Sequence, residues 1–190
     1  MAVFALIFAL LHGPGFDDEN GSAGYLSVLL LQFVTLIVGG IVFLRWVYIA
    51  TANVHAYGTV GLSTTPGWAI AWYFIPVANL FLPLRTMRET WQASAEPRDW
   101  EAARVPALIG WWWFSWMVSG FATATAFHLD DPEKFPDAGR AAEILTNVSD
   151  LFTIAASLSL AVIVRRLTAI QKVRERDLLQ ARQVVAPQSI

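Results

Sequence analysis

The stretch between Arg45 and Arg85 contains no Asp, Glu, Lys or Arg. It includes the segment PGWAIAWYFIPVANLFLPL (residues 66–84), which is apolar and aromatic but is interrupted by Pro76, Asn79 and Pro83. Soluble domains rarely leave so long a stretch uncharged, so this part of the chain is expected in or on a lipid bilayer. Because irregular backbone in a membrane must be surrounded by protein or water, the segment is expected to lie against other helices.

Three further stretches are long enough to cross a bilayer as helices, which takes roughly 20 residues. They are residues 25–44, 105–127 and 144–164, and none of them shows the strict alternation of a membrane β-strand. Only 15% of the chain is charged, whereas about a quarter is usual for globular domains. These observations predict an all-α integral membrane protein.

The first twelve residues are apolar but too short for an untilted membrane helix, and they lack the features of a signal peptide. A helix that is only partly present, an interfacial anchor and a short tilted helix remain open for them. The predicted architecture is therefore a small bundle of three to four transmembrane helices with a re-entrant or interfacial broken helix at about 66–84. Residues 1–170 form one membrane-embedded domain, and residues 171–190 form a cytoplasmic tail.

The distribution of basic residues predicts the orientation, because Lys and Arg near helix ends stay in the cytoplasm. A cytoplasmic C-terminus puts all of the thirteen basic residues except Lys134 and Arg140 inside. Arg45 and Arg85 then lie on the same side of the membrane, which favours a re-entrant or interfacial hairpin at 66–84. A single crossing by that segment, with residues 45–66 outside, is the competing model.

One long motif resembles a known family. The sequence FLRWVYIATANVHAYG at 43–58 is followed by STTPGWAIAWYFIPVANLFLPLRTMRETWQAS at 63–94. Together they resemble the bacterial membrane family catalogued as domain of unknown function four-three-two-eight, and the two following helices resemble it more weakly. The resemblance implies a small helical membrane protein, with four helices in many members, and it implies no activity. The matching positions are Asn53, Ala56, Gly58, Pro66, Trp68, Ala69, Trp72, Tyr73, Phe74, Pro76, Ala78, Asn79, Leu80, Met87, Arg88, Glu89 and Trp91.

Asn79 is the first candidate for a site, because it lies between Pro76 and Pro83 in apolar surroundings. A buried amide costs free energy unless it is hydrogen-bonded, and a broken helix offers free backbone groups. Discontinuous helices of this kind form substrate and ion sites in transporters. Two interpretations stay open. Asn79 caps a short helix that resumes toward Arg85, or Asn79 forms a small-ligand site with Trp68, Trp72 and Pro76.

Asp150 is the second candidate, since a carboxylate inside a membrane helix is costly. Asn147 lies on the same helical face as Asp150, and this polar face is expected to point into the bundle. An ion, proton or ligand role is one interpretation. In the structural alternative Asp150 lies close enough to the outer interface to be hydrated, and it stabilises the bundle by hydrogen bonds to the preceding helix, from Ser115, Ser119 or Thr123.

Arg85 and Arg88 follow the broken segment directly, and Arg85 with Glu89 is an i, i+4 pair. Near an anionic membrane surface each basic side chain contributes about 1 kcal/mol to binding, so both are candidates for lipid headgroup contacts. A simple role as positive anchors on the inner side is the alternative.

No hydrolase, nucleotide-binding or metal motif is present in the sequence, so no cofactor and no metal are expected. The net charge of −2 gives no support for nucleic-acid binding. The favoured function is a non-enzymatic accessory or scaffold subunit of a complex in the bacterial inner membrane. Its expected partners are membrane lipids, with other membrane subunits or self-association as further candidates. Binding or transport of a small ligand, lipid or ion at the broken segment is the alternative function.

Overall fold

The computed structural model describes residues 19–131 and 134–185, and every regular element in these ranges is helical. The predicted all-α class is therefore confirmed for this part of the chain. The predicted short helix at residues 1–12 lies outside the described residues. The α-helices are α1 (Glu19–Ala56), α2 (Pro66–Ala71), α3 (Leu82–Ala95), α4 (Ala107–Leu129) and α5 (Gly139–Val185), with 3-10 turns at Ala78–Leu80 and Trp100–Ala102.

Two of the helices are longer than a bilayer requires. α1 has 38 residues and α5 has 47. At 1.5 Å per residue these helices are about 57 and about 70 Å long, whereas the hydrocarbon core of a bilayer is about 30 Å thick. The predicted spans 25–44 and 144–164 each lie inside one of them, and α5 continues as a helix through most of the predicted tail.

By length and composition, two helical stretches of the described chain could cross a membrane: Leu30–Ala56 and Gly139–Ala181. A core helix of a soluble protein passes the same test but is mostly buried, whereas only 11% and 22% of these two apolar windows are buried. The sequence analysis predicts three to four transmembrane helices, whereas this criterion identifies two in the described chain. α4 is long enough at 23 residues, but its four tryptophans at 111–116 count as weakly polar in a hydropathy average.

The contacts of the chain divide it into two compact units, of which the first comprises residues 1–45 and 118–151. In its described part, small side chains let the backbones of α4 and α5 approach each other. Ser149 Oγ donates a hydrogen bond to Ser119 O at 3.1 Å and lies 2.6 Å from Thr123 Oγ1. The buried alanines of this unit are Ala122, Ala126 and Ala142.

The second unit comprises residues 46–117 and 152–190, and it contains the broken segment. Its core combines apolar side chains from α1, α4 and α5 with buried polar side chains such as Glu89 and Ser94. A polar contact joins α1 to α5 at the edge of this core, where Trp46 Nε1 donates to Thr168 Oγ1 at 3.1 Å. The largest apolar side chains without any exposed surface are Val54, Ile109, Ile163 and Leu167.

Candidate functional site: a broken hairpin closed at its flanks

The broken segment begins with a short capped helix. The Thr65 side chain accepts a hydrogen bond from Trp68 N at 3.5 Å, in an extended conformation typical of a helix N-cap. Pro66 fits the first turn of α2, where its missing N–H needs no partner. Pro76 cannot donate to a helical carbonyl, so the chain continues in turns after Ala71. The predicted break in this segment is therefore confirmed.

Asn79 lies in the 3-10 turn and does not cap a helix. Its backbone N donates to Ile75 O at 2.7 Å, and its Oδ1 is buried without a hydrogen-bond partner in the described chain. α3 follows Phe81 as its N-cap residue, without any side-chain cap, and carries Pro83 in its first turn. The capping interpretation of Asn79 is therefore wrong. The ligand interpretation stays a prediction.

Aromatic rings form one face of the hairpin. The rings of Trp68 and Trp72 stack with centroids 4.6 Å apart and planes 25° apart. Trp72 Nε1 is buried and, like Asn79 Oδ1, has no partner among the described residues. The turn between them is apolar and open, with Phe74 70% exposed and Val77 72% exposed. The hairpin therefore combines an exposed apolar tip with one unpaired buried donor and one unpaired buried acceptor.

The two flanks of the hairpin meet at the buried carboxylate of Glu89. Ser63 N donates to Glu89 Oε2 at 3.1 Å, and the Ser63 hydroxyl lies 2.6 and 2.7 Å from the two carboxylate oxygens. Next to this contact, Thr86 Oγ1 donates to Thr64 Oγ1 at 3.4 Å. The chain therefore leaves residue 64 and returns to residue 86 at the same place. The two ends of the hairpin therefore lie side by side in the second unit.

The far part of the hairpin is fixed to α4. Trp113 Nε1 donates to Leu80 O at 3.3 Å, and the rings of Trp113 and Trp116 lie with centroids 4.9 Å apart. Indole rings in membrane proteins are enriched at the depth between headgroups and acyl chains. This contact places the turn around residue 80 next to the tryptophan cluster at the start of α4.

The two candidate headgroup ligands differ in their surroundings. Arg85 Nε lies 2.8 Å from Glu89 Oε1, and the Arg85 side chain is 61% exposed. Arg88 is also exposed, and it has no ion-pair partner in the described chain. Its Nη2 lies 3.8 Å from the position that a Cβ would take at Gly110. Of the two arginines, Arg88 therefore has its charge available for an anion.

Gln171 connects α5 to the elements around the hairpin, although the sequence prediction placed it at the start of the tail. Its Nε2 donates to Ala50 O and to Ser94 Oγ, both at 2.9 Å, and its Oε1 accepts from Asn53 Nδ2 at 2.8 Å. Gln171 is 6% exposed. A spacing of four residues from Leu167 is the sequence signal that places Gln171 on the buried face.

An open cleft of about 480 Å³ lies between the turn after α1 and the loop after α3. Tyr57 lines it, and burial together with the nearby Glu175 carboxylate raises the pKa of this phenol, against the opposing effect of Arg174. Among the described residues, no group of three or more His, Asp and Glu side chains is placed to hold a metal ion. The other residues that line the cleft are Gly58, Val60, Pro97, Arg98, Asp99, Trp100 and Glu101.

Asp150 and Asn147 are in the first unit and do not join the hairpin in the second. Both are exposed, so the prediction that their face points into the bundle is wrong. The neighbouring Ser149 makes the contacts to Ser119 and Thr123 instead. A helix turns by 100° per residue. A shift of one residue in the packing of α5, from Asp150 to Ser149, is therefore enough to turn Asp150 outward.

The comparisons with known proteins agree with the motif. A family model, the domain of unknown function DUF4328, matches residues 20–169. No curated protein matches the chain, and no solved structure does. The matched range includes α3, α4, the broken hairpin and nearly all of α1. The chain therefore belongs to the DUF4328 family.

Proposed function

We propose that this chain is a multi-pass integral membrane protein of the bacterial inner membrane, with a cytoplasmic C-terminus. The observation that carries the proposal is the exposure of large apolar side chains on the two longest helices. On α1, Leu31 is 68% exposed and Ile41 61%, and on α5, Leu151 and Leu158 are each 65% exposed. Such faces are unfavourable in water and suit the hydrocarbon core of a bilayer.

In the proposed topology residues 25–44, 105–127 and 144–164 cross the membrane, and residues 66–84 form an interfacial hairpin on the cytoplasmic side. The closed flanks at Glu89 support a hairpin that returns to its starting side. The hydrogen bond from Trp113 to Leu80 supports a depth near the headgroups. The exposed tip with Phe74 and Val77 then dips into the acyl boundary.

Single cysteines can test this topology, because the chain has no cysteine of its own. Val60 is 84% exposed and precedes the hairpin, and Lys172 is exposed in the tail. In spheroplasts, Val60→Cys and Lys172→Cys should react with a membrane-impermeant maleimide only after permeabilisation. Reaction of Val60→Cys from the outside, with Lys172→Cys protected, would mean that residues 66–84 cross the membrane.

Within this topology we assign the chain a non-enzymatic role as an accessory or scaffold subunit of a membrane complex. The connections between its described α-helices are short, and the longest of them, residues 96–106, leaves no room for a soluble catalytic domain. The polar contacts of Glu89 and Gln171 hold the hairpin and its neighbouring helices in one arrangement. A fixed arrangement with an exposed apolar tip is suited to presenting a surface within the membrane.

Native purification in mild detergent tests the accessory role. A tagged chain expressed at its natural level should migrate above the monomer mass with a defined second protein. The double variant Phe74→Ser and Val77→Ser changes the exposed tip and should weaken this association without loss of helix content. A lone monomer from the wild-type chain would contradict the proposal.

Binding of a small ligand at the hairpin is the second candidate function. It is favoured by the unpaired, buried Asn79 Oδ1 and Trp72 Nε1, because a ligand with one donor and one acceptor would satisfy both atoms. Native mass spectrometry of the protein purified from membranes should then show a bound small molecule that Asn79→Leu loses. Asn147→Leu, a matched change in the other unit, should keep it. The absence of any bound mass in the wild type, or an equal bound mass in all three proteins, would contradict a ligand at Asn79.

A further inference from the structure

Asp150 and Asn147 form a polar patch on an exposed face of α5. Neither side chain has a hydrogen bond or an ion pair with another described residue, and both are exposed. The same face continues through the exposed Glu143 and Ser157, and the adjacent apolar side chains of Leu151 and Ile154 are 65% and 57% exposed. The patch therefore faces away from the chain's own packing.

The depth of the patch follows from the proposed membrane topology, on which this inference rests. Asp150 is six residues into the proposed span 144–164, about 9 Å from its outer end at 1.5 Å per residue. The contact between Ser149 and Thr123 gives a second estimate. Thr123 is four residues before the end of the span 105–127, or about 6 Å inside. The Asp side chain is shorter than the Lys and Arg side chains that extend from a membrane helix to the headgroups.

The cation that would pair with Asp150 does not come from α5. The basic residues of α5 closest in sequence to Asp150 are Arg140 and Arg165, which are ten and fifteen residues away along the helix. That separation is about 15 Å or more at 1.5 Å per residue. In the loop before α5, Lys134 is paired with Asp131 at 2.6 Å. Hydrocarbon offers no partner for the carboxylate either, so the patch requires one from another molecule.

We infer that this face of α5 docks a transmembrane helix of another protein, which carries a Lys or Arg at the depth of Asp150. Charge complementarity favours such a helix over a second copy of this chain, because a parallel copy would place two Asp150 carboxylates together. Asn147, one turn away, supplies both a donor and an acceptor to the same helix. This partner chemistry specifies the proposed accessory role more closely.

A model helix tests the inference without knowledge of the natural partner. The probe is a synthetic transmembrane peptide of Leu and Ala with one Lys at the matching depth, and the reference peptide has Leu there. The protein carries the single cysteine of Lys172→Cys, which is labelled with a donor dye, and is otherwise wild type. It is reconstituted in phosphatidylcholine liposomes and titrated with acceptor-labelled peptide. Energy transfer should show binding of the Lys peptide at least tenfold tighter than binding of the Leu peptide.

Variants at exposed positions identify the contact. Asp150→Asn should remove the preference for the Lys peptide, and Glu143→Gln, near the outer end of the helix, should retain it. Asp150→Lys should instead prefer a peptide with Glu at that depth. No preference in the wild type, or the same preference in Asp150→Asn, would overturn the inference. Energy transfer between copies of the chain that depends on Asp150 would also overturn it, in favour of self-association.

The membrane proposal is checked in the same sample. A wild-type protein that floats with the liposomes and resists carbonate extraction is inserted, so a missing peptide preference then contradicts only the docking inference. Release of the protein by carbonate would contradict the membrane proposal itself and the inference with it.

Discussion

Glu89 is the side chain at which the two flanks of the broken hairpin meet. Its carboxylate accepts from Ser63 N, from the Ser63 hydroxyl and from Arg85 Nε, while the residue is 7% exposed. A buried carboxylate is tolerated only with such partners. Removal of the carboxylate leaves the donor atoms of Ser63 and Arg85 without this acceptor. At this scale Glu89 makes most of the hydrogen bonds that join the two flanks, with one further hydrogen bond between Thr86 and Thr64.

Glu89→Ala should therefore destabilise the protein strongly. Hydrogen bonds to a charged group contribute about 1.5–3 kcal/mol, and we expect a loss of about 2–3 kcal/mol in the free energy of unfolding. Arg85→Ala is the matched control, since it removes the exposed member of the same ion pair and should cost no more than about 1 kcal/mol. Denaturant unfolding in detergent, followed by tryptophan fluorescence, measures both. Equal losses for the two variants would contradict the role of Glu89 in closing the flanks.

Tyr57 gives a prediction for alkaline pH. Its pKa is raised above the ordinary value of 10.0, so the phenol ionises more readily in the unfolded chain than in the folded one. The contribution of Tyr57 is fully present below pH 10.0, and it is lost as the pH rises through the higher folded pKa. Above pH 10.0 the wild type should lose unfolding free energy more steeply than Tyr57→Phe.

The Tyr57→Phe variant should also be about 1 kcal/mol less stable at neutral pH, because it loses the hydrogen bond to Gln171 O. Thermal unfolding by circular dichroism at pH 8 to 11.5 measures both effects. Parallel pH profiles for the two proteins would show that the phenol does not titrate differently on folding.

At the scale of the elements, the prolines made the hairpin predictable from the sequence. Side-chain contacts and the orientation of helix faces were not predictable in the same way. Pro76 and Pro83 remove backbone donors wherever they stand, so the break at 66–84 follows from local chemistry. The closure at Glu89 could not be predicted, because a carboxylate four residues after an arginine fits an exposed ion pair equally well. Asp150 was placed on the wrong face for a similar reason: periodicity shows which residues share a face, not where that face points.

Ser149 provides the test of the contact between α4 and α5. Ser149→Ala removes the hydroxyl that contacts Ser119 and Thr123, and in a membrane such a contact averages about 0.6 kcal/mol with a maximum near 1.7. We expect a loss in this range, measured by unfolding in mixed detergent micelles. Ser157→Ala, at an exposed position of the same helix, should have no measurable effect. A larger loss for Ser157→Ala would indicate that the helix packs with a different face.

At the scale of the whole molecule, the number of crossings depends on α4. This helix is long enough, but it is not among the stretches that length and hydropathy identify. Its tryptophans lower the hydropathy average while they suit the membrane interface. The charges and the lengths of the apolar stretches therefore predict the all-α membrane class and the orientation. Whether α4 crosses the membrane depends on its tryptophans, which a hydropathy scale treats as polar.

Cysteines on both sides of α4 decide whether it crosses. Arg98→Cys in the loop before α4 should react with an impermeant maleimide only after permeabilisation of spheroplasts. Asp137→Cys in the loop after α4 should react in intact spheroplasts, because an odd number of crossings separates the two loops. Both positions are exposed, so accessibility within the protein is matched. Labelling of both from one side would contradict the three-crossing topology.

The closed flanks of the hairpin have a consequence for the order of events during synthesis. Ser63 and Glu89 are 26 residues apart and Thr64 and Thr86 are 22, whereas the contacts of Gln171 reach back over 77 to 121 residues. Chain closure costs less entropy over short separations than over long ones. The hairpin can therefore close once residue 89 has left the ribosome, and α5 can dock later onto a part that is already formed.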